Sequence, residues 1–216
     1  MIQIIATTLE LAGVTSLILL LIATPLAWWL VQRQGWFADS VAAITSLPLV
    51  LPPTVLGFYL LVLMGPRGPL APLLHLAGIT TLAFSFHGLV IGSVIYSFPF
   101  ALQPIRASFD SVPPRLIEAA TSLRAGGFDR FRTIVLPLAR PGLLSALILS
   151  FTHTIGEFGV VLMIGGDIPG QTRVLSTTIF DSVETLDWTT AHEISAGLLV
   201  FSFIAILALR RFDRAT

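Results

Sequence analysis

The residues best placed for chemistry in this chain stand close together late in the sequence. His153 and Glu157 are four apart, so on a helix they share one face, and Thr152 and Thr154 flank the histidine in an otherwise apolar stretch. A histidine and a carboxylate at that spacing can share a metal ion, which would suit a membrane-embedded metalloenzyme, but a third ligand is not evident. His75, His87 and His192 are scattered without ligand spacing. Thr152, His153 and Thr154 suit an anion better, because hydroxyl and imidazole N–H groups donate hydrogen bonds to an oxyanion without holding it tightly. A lone carboxylate beside that anion would repel it, strongly so at low dielectric, so Glu157 is expected to pair with His153 or an arginine and to organise the helix. A buried pair that merely fixes packing is the plainer alternative. Gly156 and Gly159 read as points of close helix contact rather than of substrate contact.

Two absences narrow the chemistry further. All 12 basic residues are arginine, so the lysine of a Walker-type phosphate loop cannot be supplied. If nucleotide energy is used, ATP and its magnesium belong to a partner, and no cofactor is expected on this chain. Cysteine is also missing, which removes disulfides, thiolate chemistry and cysteine-ligated zinc.

Elements that could position such residues must lie in lipid. Of 216 residues, 55% are hydrophobic and only 11% charged, too little polar material to cover a wetted surface. A crossing helix needs about 20 apolar residues, and five stretches qualify: Leu11 to Val31, Val41 to Met64, Phe84 to Leu102, Gly142 to Ile164 and Ala191 to Leu209. The amino terminus lacks the basic region of a secretory signal, so the first stretch is expected to be a retained span. Residues 70–83 are apolar but interrupted by Pro72 and Gly78, and are expected to lie at the interface or re-enter; a crossing there would make six spans. The expected fold is therefore an all-α integral membrane protein of five helices, or six, in a single domain over residues 1–216. Three prolines in the second span, Pro48, Pro52 and Pro53, predict a kinked or broken helix of the kind a moving gate would use, or a static kink made for packing.

Arginine placement sets the orientation, since basic residues accumulate in short cytoplasmic loops. With the amino terminus outside, ten of the twelve arginines fall inside: Arg33, six between the third and fourth spans, and Arg210, Arg211 and Arg214. Only Arg67 and Arg173 remain outside. Trp28, Trp29 and Trp36 are expected at the cytoplasmic headgroups and Trp188 at the opposite face.

The polar segment 108–140 reads as two short helices around a turn. Asp110 and Ser111 are candidate caps, Pro113 and Pro114 fit a first turn, and Leu116, Ala119, Ala120 and Leu123 form one apolar face. Gly126 and Gly127 are expected to supply the turn, and Phe128 to Leu136 a second piece ending at Pro137. Alanines allow two backbones to approach closely, and the arginines suit an acidic or polar partner; an amphipathic loop lying on anionic lipid is the plainer reading. Glu118-Ala119-Ala120, with Ile134, Leu136 and Pro137 at their offsets, resembles the EAA loop of ABC importer permeases. The resemblance implies a coupling helix, with Glu118, Ala119, Ala120, Arg124, Gly126, Gly127, Leu136 and Pro137 engaging an ATPase subunit. Arg124 stands where the family pattern has glycine, six residues after the glutamate.

Leu47 to Gly57 (LPLVLPPTVLG) and Gly156-Glu157-Phe158-Gly159, with Ile168 to Arg173 (IPGQTR) beyond, are similar to signatures of molybdate permeases; sulfate, thiosulfate and tungstate permeases share parts of them. The resemblance runs from about Thr8 to Arg211. It implies a subunit of a bacterial inner-membrane ABC importer for a tetrahedral oxyanion. The expected assembly is a homodimer with two ATPase subunits and an external binding protein, amino terminus outside and carboxyl terminus cytoplasmic, with no nucleic acid. Pro52, Pro53, Thr152, His153, Thr154 and Glu157 would then line the path or gate. A passive anion channel is the remaining alternative.

Overall fold

A computed structural model describes residues 1–215, with side chains through Arg211; Arg214, counted above with the basic carboxyl end, lies outside the residues whose side chains are described. Among the described residues there is no strand. Helix α1 (Ile2–Gln32) runs unbroken through Pro25. Helix α2 (Trp36–Ser46) tightens into a 3-10 turn at Leu47–Leu49, and α3 (Pro53–Met64) leaves at 108° to it. Short α4 (Ala71–Leu76) is followed by α5 (Phe86–Asp110), α6 (Pro114–Ser122) and α7 (Gly127–Arg130). A π-helical stretch, Phe131–Val135, leads through α8 (Leu136–Leu138) to α9 (Arg140–Gly156) and α10 (Gly159–Gly165), and α11 (Leu175–Glu184) and α12 (Trp188–Ala215) complete the chain.

Among the described residues three helices are long and apolar enough to cross a membrane: α1, α5 and Trp188–Arg211 within α12. Two bent pairs, Trp36–Leu49 with Pro53–Met64 and Gly127–Leu138 with Arg140–Gly156, raise the number to five if each is one span. The second expected span is therefore not straight. Pro52 and Pro53 remove two consecutive amide donors, and proline pushes the residue before it out of the helical region, so the ladder cannot be carried across them. The fourth expected span, Gly142 to Ile164, parts at Glu157, whose ψ of 132° is extended. Residues 70–83 do not cross as a helix, since six residues of α4 rise only about 9 Å.

A short helix in lipid exposes its last carbonyls, and here the segment after α4 covers them. Leu82 N–H and Thr81 Oγ1 donate to Met64 O at the end of α3 (3.2 and 3.1 Å), and Phe84 N–H donates to Ile164 O near the end of α10 (2.7 Å). Thr172 Oγ1 takes the next carbonyl, Gly165 O, at 2.6 Å.

Helices α1, α5 and α9 form the main packed core, with Leu19, Ala23 and Ala27 buried against Ala101, Leu102, Ile105 and Ala146. Small residues permit this approach, since without a hydrophobic drive between helices in lipid, close van der Waals packing must hold them. A Cβ on Gly142 would stand 2.2 Å from that of Ser108. Trp28 corrects the aromatic-belt expectation: it packs inward, its ring centroid 5.9 Å from Phe109 and 5.5 Å from Phe131. Trp36 and Trp188 are exposed.

Replacing Gly142 by valine forces α9 off α5. The expected outcome is a loss of about 1–3 kcal/mol of stability, seen as a lower midpoint in thermal unfolding of the solubilised chain; an unchanged midpoint would show that the two helices do not meet here.

Candidate functional site

His153 lies on the fourth turn of α9 and faces α5. Its Nδ1 is 2.9 Å from Ser97 Oγ, its ring stacks on Phe100 at 3.9 Å and 24°, and Tyr96 stands 5.1 Å away. Ser97 Oγ is also 3.1 Å from Thr154 Oγ1, which donates to Ser150 O at 2.8 Å. Thr152 bonds back to Ile148 O at 2.7 Å, as threonine does on helices that bury it in apolar surroundings. The structure thus brings His153 and Thr154 into one polar cluster with Ser97, a residue that carried no signal in the sequence because serine is common in close-packed membrane helices.

Glu157 departs from expectation. It is buried, 4% exposed, yet neither carboxylate oxygen has a hydrogen-bond partner among the described residues, and it forms no ion pair with His153 or an arginine. The extended ψ at Glu157 turns the chain after it away from the axis of α9, and His153 is meanwhile taken by Ser97 across the contact with α5. Ser93 lies beside the carboxylate without the geometry of a bond, and Ser176 of α11 donates to the main-chain carbonyl of Glu157. Among the described residues no group of three or more histidine, cysteine or acidic side chains could hold a metal ion.

The two membrane motifs, a hundred residues apart, meet. A Cβ on Gly159 would stand 2.6 Å from Pro53 Cβ, and one on Gly57 would stand 2.8 Å from Met163 Cβ, so α10 lies directly on α3. Pro52 precedes this contact as the residue before α3 and is exposed. Gly156 differs from expectation: nothing lies within 4 Å of where its Cβ would be, so the close approach belongs to Gly159. The Ile168 to Arg173 motif folds into a loop held by Arg173, whose guanidinium is 2.8 Å from Asp167 and 3.8 Å from Asp181, while Thr177 donates to Asp167 at 2.6 Å.

At the other end, Glu118 and Ala119 are exposed on α6 and Ala120 is buried. Glu118 also lines a groove of about 530 Å³ with Trp28, Asp110 and Arg130. Three local expectations are corrected. Asp110 and Ser111 do not cap α6; α5 extends through Asp110, and Ser111 closes it. Gly126 and Gly127 do not make the turn either, since Gly126 is extended with φ −67° and Gly127 already opens α7. The turn residue is Arg124, at φ +59°, the left-handed region that glycine enters without steric cost. Finally, Pro137 does not end the second piece. The π-helical Phe131–Val135 places it in the first turn of α8, where its missing donor is not needed, and Leu136 beside it is half-buried. Arg130 Nη1 donates to Thr121 Oγ1 at 2.7 Å and ties α7 to α6.

Residues 14–216 match the family described as binding-protein-dependent transport system inner membrane component. The chain is 52% identical to the molybdenum transport system permease protein ModB of Azotobacter vinelandii over 208 residues, covering 95% of this chain and 92% of that one. It is 30% identical to a probable sulfate transport system permease protein of Chlorella vulgaris, covering 95% and 77% respectively. In fold it is similar to a chain of a bacterial alginate ABC transporter, with a TM-score of 0.79 and 18% identity, over 99% of this chain and 78% of that one.

The turn at Arg124 makes a direct prediction. Arg124→Gly keeps the conformation and changes stability by less than about 1 kcal/mol. Arg124→Pro, with φ held near −65° and the N–H bond to Thr121 O lost, costs about 3 kcal/mol or more. Thermal unfolding followed by tryptophan fluorescence separates them, and equal stability of the two variants would contradict the assignment.

Proposed function

Because the chain belongs to the family of inner-membrane components of binding-protein-dependent transport systems, it is a transport subunit rather than an enzyme, and we propose that its cargo is molybdate. The observation that carries the substrate is the 52% identity to a molybdenum permease over nearly the whole of both chains. The sulfate permease relative keeps a second tetrahedral dianion as the runner-up, and competition by sulfate for uptake would favour it.

In this reading the chain acts as a single transmembrane unit that pairs with a second copy. Each copy offers α6 to an ATPase subunit, which holds the ATP and magnesium, and an external protein delivers the anion. Glu118 and Ala119 are exposed where a partner would grip, and Ala120, Leu136 and Pro137 sit behind them. Nucleotide-driven closure of the two ATPases draws the α6 helices together and opens the pore outward; hydrolysis resets it inward. The bend at Pro52 and Pro53, seated on Gly159, is the gate element, and Thr152, His153 and Thr154 lie along the path. The amino terminus is outside and α6 is cytoplasmic, as the arginine distribution requires.

Two experiments test this. In proteoliposomes holding the ATPase and charged with the binding protein, Glu118→Ala lowers ATP-dependent molybdate uptake about tenfold, the scale of one charge-assisted hydrogen bond. Wild-type uptake together with normal subunit assembly would remove α6 from the coupling role. Since the chain has no cysteine, Arg124→Cys and Asp187→Cys report topology cleanly. An impermeant maleimide is expected to reach Asp187→Cys in intact cells and Arg124→Cys only after the membrane is opened; the reverse pattern inverts the orientation.

A further inference from the structure

Ser97 is fully buried on α5 and reaches two side chains of α9, His153 Nδ1 at 2.9 Å and Thr154 Oγ1 at 3.1 Å. The direction of these bonds follows from counting hydrogens. Thr154 has one hydroxyl hydrogen, and it goes to Ser150 O at 2.8 Å, so toward Ser97 the Thr154 oxygen accepts. Ser97 also has one hydrogen, and giving it to Thr154 leaves the Ser97 oxygen as an acceptor for the ring. The arrangement that satisfies all three contacts therefore places a hydrogen on His153 Nδ1. Any other assignment leaves two lone pairs facing each other in a buried site, where an unmade bond is costly. Phe100, stacked on the imidazole, holds its plane, and turning the ring over would put carbon against Ser97.

We infer that Ser97 is the positioning residue for His153, fixing the ring with Nδ1–H toward α5 and leaving Nε2 as the one ring nitrogen open to the cargo. This rests on the proposed place of His153 along the anion path. It changes the chemistry expected from the sequence. In the neutral ring so held, Nε2 carries a lone pair and no hydrogen, so the neutral imidazole has no donor left for an anion. A fully ionised oxyanion oxygen is met at Nε2 only by a ring with hydrogen on both nitrogens. A neighbouring serine thus decides which form of His153 recognises the cargo.

The test uses the full chain, labelled with ¹⁵N-histidine in lipid nanodiscs, with His153→Gln to assign the resonances. Wild-type His153 is expected to show a protonated Nδ1; Ser97→Ala loses that preference, and Ser97→Thr, which keeps the hydroxyl, restores it. In proteoliposomes with the ATPase and binding protein, Ser97→Ala lets the neutral ring carry its hydrogen on Nε2 and so offer the anion a donor, and KM for molybdate uptake falls about fivefold, the scale of one hydrogen bond, with a smaller change in kcat. A wild-type ring protonated at Nε2 alone, or a Ser97→Ala spectrum identical to wild type, overturns the inference. If His153→Gln leaves uptake unchanged, His153 is not on the path and the cargo role of Ser97 falls with it, while the spectra still decide the bond by themselves.

Discussion

In hydrocarbon no water is at hand to take an open N–H or C=O, and this governs how a chain may break a helix. Here two helices are broken, one after Leu49 and one at Glu157, and the short half-helices that follow, α3 and α10, have their far ends covered by the rest of the fold. The last carbonyls of α3 and α10 are taken up by the segment 81–84 and by Thr172. The two half-helices lie on each other because Gly57 and Gly159 offer no side chain between them. A cost of several kcal/mol for each uncovered group favours a break that protein surrounds, as at buried Glu157, whereas the break after Leu49 is an exposed turn at Val50 and Pro52.

Around this pair the three helices α1, α5 and α9 supply a rigid frame. Alanines and glycines bring them close, and the same closeness lets Ser97 reach both His153 and Thr154 across the interface. Glu157 is held at the junction of frame and half-helix, its main chain bonded to Ser176 and its carboxylate buried without a partner. Outside the frame, Arg173 ties its loop to α11 through Asp167 and Asp181, and Arg130 ties α7 to α6 through Thr121. These are local braces on exposed elements, modest in energy but effective in fixing geometry.

The loop between α6 and α7 shows a backbone demand met by a residue other than glycine. The turn after α6 needs one residue in the left-handed region, and Arg124 takes it although glycine would do so more easily. Glycine is the usual signal for such a turn, so Gly126 and Gly127 stand out in the sequence although neither makes it. Phe131–Val135 is a second case: Pro137 announced a stop, and the π-helical stretch before it absorbed the missing donor instead.

What the sequence determined by itself is what depends on composition and local pattern. Apolar runs of span length, arginines gathered between the third and fourth runs, and the Glu118-Ala119-Ala120 motif point to an all-helical membrane chain and its family, because lipid solvation acts on each segment independently of its neighbours. Only the tertiary structure decided which groups pair. The contact of Pro53 with Gly159, the bond from His153 to Ser97 in place of Glu157, and the inward turn of Trp28 depend on helices far apart in sequence. Helical spacing of four predicts a shared face but not a bond, and the partner that His153 takes comes from the neighbouring helix. The physical reason is that a hydrogen bond or a close approach is a property of two surfaces at a distance and angle, which no single segment specifies.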